Sequence, residues 1–77
     1  MDADSVRKIF EGDPNNPTIE AEEVIEVVYQ GGPVVSIYTK SKYAQFHDEF
    51  SQIGPDIPVL KKLIGELEAE GYRLNLD

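Results

Sequence analysis

The apolar residues of this chain change their spacing from segment to segment, and the changes predict its elements. Near the start, Val6, Ile9 and Phe10 recur at intervals of three and four, which places them on one stripe of a helix. Asp4 or Ser5 offers the N-cap, the helix is expected to run to Glu11, and Gly12 ends it. The sequence DPNNP that follows has the prolines and asparagines of a turn-rich loop.

The segment TIEAEEVIEVVYQ, residues 18–30, supports two readings. As a helix, Thr18 caps an acidic first turn and Val24, Val27 and Val28 share a face. As a strand, Ile25, Val27 and Tyr29 share a face, opposite Val24, Glu26 and Val28. β-Branched and aromatic residues favour the strand. So does the continuation QGGPVVSIYTK, where Val34 to Thr39 form a second extended run beyond a glycine pair. The two runs predict a hairpin. Because Pro33 has no amide proton for a tight closure, its loop is expected to take four residues, Gln30 to Pro33.

Further on, Ser41 is placed to cap a helix in which Tyr43, Phe46, Phe50 and Ile53 lie near one face, ended by Gly54 and Pro55. A last helix opens at Asp56 to Pro58, with Leu60, Leu63, Ile64 and Leu67 as its stripe and Gly71 as its C-terminal cap. Residues 72–76, YRLNL, alternate Tyr72, Leu74 and Leu76 as a closing strand. The predicted fold is a small α+β domain in the order α-β-β-α-α-β, with a three-stranded, mainly antiparallel sheet packed with helices.

Composition adjusts this picture in three ways. At 77 residues the chain has room for one domain, residues 1–77, with a core barely large enough to offset conformational entropy. Its 15 Asp and Glu against 7 Lys and Arg give a net charge of −8, which repels nucleic-acid backbones and anionic lipids and attracts cations and basic protein surfaces. With no cysteine there is no disulfide framework and no thiolate metal site. The N-terminal sequence MDADSVRK has no signal-peptide pattern and no apolar run approaches a membrane span, so a soluble cytoplasmic protein is the expectation.

The sharpest chemistry lies in GDPNNPTIEAEEV, residues 12–24. PTIEAEEV resembles the second half of an EF-hand, the helix–loop–helix calcium site. In that register Glu23 takes the twelfth position, Glu20 the ninth and Asn16 the fifth, but Gly12 and Pro14 stand where carboxylates belong. Pro17 stands where the loop requires a glycine with positive φ. Shifting the frame by one gives Glu11, Asp13, Asn15 and Glu22 as ligands, with Asn16 at the turn and the Pro17 carbonyl at the seventh place. Ile19 then fills a polar position and Pro14 holds Asp13 extended. An ordinary EF-hand is therefore excluded. What remains is a set of hard oxygen ligands, Glu11, Asp13, Asn15, Asn16, Glu20, Glu22 and Glu23, suited to weak Ca²⁺ binding at an irregular site, or else a solvated acidic connection.

Other constellations are weaker. Glu66 and Glu70 are four apart at the C-terminal end of the last helix, with Glu68 nearby, where the helix dipole prefers cations. His47 is the single histidine. Its neighbour Asp48 cannot face it from a helix, and no serine lies in a nucleophile-elbow sequence, so no catalytic role is expected. Tyr38, Lys40, Lys42 and Tyr43 are interleaved, but two lysines against an acidic field are poor support for nucleic-acid binding. The sequence thus predicts a small acidic non-catalytic binding module, with weak Ca²⁺ binding at the carboxylate-rich loop. The alternative is an interaction or regulatory module that engages a basic protein partner through the same charge.

Overall fold

The computed structural model describes residues 1–14, 17–29, 32–48, 50 and 57–75. Asn15 and Asn16, Gln30 and Gly31 of the expected hairpin loop, the expected helix end at Ile53 to Pro55, the expected start of the last helix at Asp56, and Leu76 lie outside the described residues.

Two helices and a five-stranded mixed sheet make up the described fold, in the order α1 (Ala3–Ile9), β1 (Thr18–Ala21), β2 (Ile25–Tyr29), β3 (Gly32–Tyr38), β4 (Tyr43–Phe46), α2 (Pro58–Ala69) and β5 (Arg73–Asn75). The strands lie side by side in chain order. The first four form an antiparallel meander, and β5 returns after α2 to lie parallel to β4. The α+β class and the mainly antiparallel sheet agree with the sequence reading; the three-stranded sheet and its element order do not.

Two corrections account for the extra strands. Residues 18–29 form two strands rather than one, broken at Glu22 to Val24 so that Ala21 pairs with Ile25. Tyr43 to Phe46, expected in a helix, is β4. Its Ala44 and Phe46 pair with Ile37 and Val35 and are fully buried, whereas Tyr43 and Gln45 point to the other face. An alternation that fits a waiting sheet edge outweighs the helical spacing of Tyr43, Phe46 and Phe50. The connection from Tyr38 to Tyr43 closes with Lys42 in the left-handed region, at φ 53°.

Pro33 is likewise not a loop residue. Pairing of β2 with β3 continues through Val28↔Pro33 to Tyr29↔Gly32, and a register shift between Val27 and Val28 leaves Val34 as the extra residue of a bulge. A bulge is one of the few places where a sheet accepts a residue without an amide proton. The Val34 carbonyl is taken up by the His47 N–H at 2.8 Å.

Both helices begin and end for visible reasons. The Asp2 carboxylate, not Asp4 or Ser5, caps α1 by accepting from the Ser5 N–H at 2.8 Å. That bond, first among the causes, holds the Asp2 carboxyl below its ordinary range. α1 stops at Ile9, two residues short of expectation, and Gly12 follows at φ +78°. In α2, Pro58 occupies the first turn, where its missing N–H costs nothing. At its end the Gly71 N–H donates to the Glu68 carbonyl and the Tyr72 N–H to that of Leu67, both at 3.0 Å. With Gly71 at φ +84°, this is a Schellman cap.

One face of the sheet holds the core. Ile25, Val27 and Tyr29 from β2, Val35 and Ile37 from β3, and Ala44 and Phe46 from β4 pack with Val6 and Phe10 of α1 and Leu60, Leu63 and Leu67 of α2. Full burial of each α2 leucine contributes about 1.5–3 kcal/mol. The opposite face is polar, with Glu20, Glu26, Ser36, Gln45 and Asn75 in one cross-strand row and Tyr38, Tyr43 and Arg73 in the next.

Candidate functional site

The residues predicted to hold Ca²⁺ are divided between two places. Glu11 and Asp13 follow α1 and, with Gly12 and Pro14, form one wall of a hollow of about 590 Å³ whose other wall is Ile57 to Val59 and Lys62 at the start of α2. Glu20, Glu22 and Glu23 line a different hollow, about 640 Å³, at the corner where β1 turns into β2. Among the described residues no group of three or more Asp, Glu or His side chains is arranged to hold a metal ion.

Asp13 is also engaged in packing. The Tyr29 hydroxyl donates to Asp13 Oδ2 at 2.8 Å, and the Tyr29 ring meets Phe10 edge-on at 6.2 Å between centroids. Burial first, then the bond to Asp13 and its negative charge, pushes the Tyr29 phenol well above its ordinary range. The carboxylate therefore fastens the loop after α1 to the end of β2.

The β1–β2 corner has a fourth carboxylate that sequence reasoning left out of the site. Glu26 lines the same hollow and sits directly across the strand pair from Glu20. Strand alternation contained this signal, since residues 20 and 26 share a face once the chain turns at Glu22 to Val24. Reading 18–30 as one element hid it. Like charges directly opposite each other destabilise a strand pair. The hollow is lined by Glu20, Ala21, Glu22, Glu23, Val24 and Glu26, so it contains no lysine or arginine. The ion pairs among the described residues, Met1 with Glu70 and Arg7 with Asp4, do not involve these carboxylates.

The other acidic cluster has local partners. Glu70 Oε1 accepts from the Met1 ammonium at 2.6 Å, and the Glu70 carbonyl accepts from Lys42 Nζ at 3.1 Å. Two cations thus meet the negative end of α2, as its dipole requires.

His47 also has a partner that the sequence did not reveal. Its Nε2 lies 2.8 Å from Ser36 Oγ, and Ser36 Oγ lies 3.5 Å from Glu26 Oε1. Reading Tyr43 to Phe46 as helix concealed the pair; as a strand, β4 carries His47 back beside β3. Ser36 is only 3% exposed, the one buried polar residue described. Beside it, Tyr43 donates to Gln45 Oε1 at 2.6 Å, Asn75 Nδ2 donates to both, and the Arg73 guanidinium lies 5.6 Å from the centre of the Tyr43 ring. The interleaved tyrosines and lysines therefore do not form a stacking platform of four: Tyr43 is committed to this network and Lys42 to α2, while Tyr38 is the exposed aromatic, at 39%.

No family model, curated protein or solved structure matches the chain. No helix among the described residues is long and apolar enough to cross a membrane.

Proposed function

We propose that the chain is a small acidic, non-catalytic binding module that takes a basic protein segment at the β1–β2 corner. The observation that carries this reading is the hollow lined by Glu20, Glu22, Glu23 and Glu26 without a cation in its walls. Four carboxylates around one depression focus a negative potential, and the Glu20–Glu26 pair repels across its strands. A ligand that supplies positive charge gains attraction and relieves that repulsion.

A basic peptide suits the corner better than Ca²⁺. Calcium needs six to eight oxygens at about 2.3–2.6 Å around one point, whereas lysine or arginine side chains pair with carboxylates spread along a rim. Weak Ca²⁺ binding is the competing reading of the same carboxylates. Catalysis has little support, because the one serine beside the histidine is buried away from any substrate.

Titrating the ¹⁵N-labelled protein with hexalysine, and separately with Ca²⁺ after chelator treatment, tests the reading. Hexalysine is expected to shift amide signals of residues 20–26, with the response fading as salt is raised. Ca²⁺ at the same sites with no hexalysine response would replace the basic partner by the cation. Silence in both titrations at millimolar ligand removes the corner as a binding site.

A further inference from the structure

Ser36 has a single hydroxyl proton and two groups within reach, Glu26 Oε1 at 3.5 Å and His47 Nε2 at 2.8 Å, which accepts when the neutral ring carries its proton on Nδ1. Its burial keeps water from serving as a substitute for either. Which acceptor receives the proton depends on His47. When Nε2 is unprotonated it accepts from Ser36, and Glu26 is left without that donor. When the imidazole is protonated both of its nitrogens are donors, so Nε2–H donates to Ser36 Oγ and the hydroxyl proton has only Glu26 to turn to.

We propose that His47, Ser36 and Glu26 form a hydrogen-bond relay that transmits the protonation state of His47 to the acidic β1–β2 corner. The step is a proton added to His47 from solvent and a reorientation of one O–H bond; no covalent bond between heavy atoms changes. Glu26 is the common member, since it ends the relay and lines the hollow. β2 contributes Glu26 to this chain and β3 contributes Ser36, which does not titrate; Gln45, two residues before His47 on β4, is neutral, and Asp48 adjoins His47 in sequence. Glu26 and Ser36 stand on the paired strands β2 and β3, and His47 directly follows β4. The bulge at Val34 and the His47 N–H bond to the Val34 carbonyl fix where the imidazole meets β3.

The consequence for binding rests on the function proposed above. Protonation of His47 directs a donor onto Glu26 and adds a positive charge behind it, so the corner holds basic ligands less tightly once His47 is protonated.

The relay itself is tested on the protein alone. In an NMR pH titration following the His47 ring and the Glu26 side-chain carboxyl carbon, Glu26 is expected to show, besides its own titration, a step at the midpoint of the His47 transition. Ser36→Ala should abolish that step while His47 still titrates, and His47→Gln should abolish it with Ser36 in place. A Glu26 step of the same size in Ser36→Ala would show simple charge coupling through space and overturn the relay, as would no step in the native protein. If Ser36→Ala disturbs the sheet, repeating the native titration at high salt makes the same distinction, because a through-space step shrinks with screening and a relayed one persists. Hexalysine binding at the two ends of the pH range is a separate arm. Its failure counts against the proposed ligand and leaves the relay measurement readable.

Discussion

The Tyr29 hydroxyl and the Asp13 carboxylate, sixteen residues apart, are joined at 2.8 Å, so the loop after α1 is fastened to the last residue of β2. Tyr29 is buried and Asp13 half-buried, so the bond is shielded from water. A bond from a neutral donor to a charged acceptor contributes about 1.5–3 kcal/mol when partly desolvated, and the ring's packing survives loss of the oxygen. Tyr29→Phe is therefore expected to lower unfolding stability by about 1.5–3 kcal/mol, read from urea denaturation with an unchanged m-value. A change within error would mean that solvent already satisfies both groups.

The same tyrosine gives the fold an alkaline limit. Burial raises the phenols of both Tyr29 and Tyr72, reinforced by Asp13 at the first and by the charge of Glu70 at the second. Each folded-state pKa exceeds the unfolded value of 10.0, so the neutral forms favoured by folding are fully populated below pH 10. Stability is lost as the pH rises above that value, where the unfolded state ionises first. Melting temperatures should hold steady toward pH 9 and fall above about pH 10. The Tyr29→Phe, Tyr72→Phe double variant should flatten that fall, and an equally steep decline in it would assign the alkaline limit to other groups.

Much of this arrangement could be read before any coordinates. Val6, Ile9 and Phe10, the leucine stripe of α2, the Gly71 cap and the facing of Ile25, Val27 and Tyr29 follow from spacing because each depends on local geometry. The misread parts depend on partners distant in sequence. Tyr43 to Phe46 has helical and alternating patterns at once, and β3 decides between them by pairing with Ala44 and Phe46. The break at Glu22 to Val24 carries no glycine or proline, so the turn has no local signature; the pairing of Ile19 with Val27 defines it. The acidic corner shared this fate. Glu20, Glu22 and Glu23 were visible as a cluster, but Glu26 joins them only through strand register, and Ser36 reaches His47 only through β4.

Glu20 and Glu26 give a prediction of opposite sign to most core substitutions. As directly opposed like charges on β1 and β2, they oppose folding by about 0.2–1 kcal/mol. Glu20→Gln should raise the melting temperature at low salt, and the gain should shrink as salt screens the pair. The same change should weaken hexalysine binding at the corner. Stabilisation with undiminished binding would separate the pair's strain from the proposed site.

Gly71 isolates a backbone effect. Its φ of +84° lies in the left-handed region, and a Cβ built there would meet nothing within 4 Å. Steric crowding by neighbours is thus absent, and the cost of a side chain comes from the residue's own conformation, about 1–2 kcal/mol. That conformation lets the Gly71 and Tyr72 amides reach the Glu68 and Leu67 carbonyls and turns the chain from α2 into β5. Gly71→Ala is expected to lower stability by that amount. Gly71→Asn should lose less, because asparagine tolerates left-handed backbone better than alanine. Equal losses in the two variants, measured by urea denaturation, would point instead to contacts made by the side chains themselves.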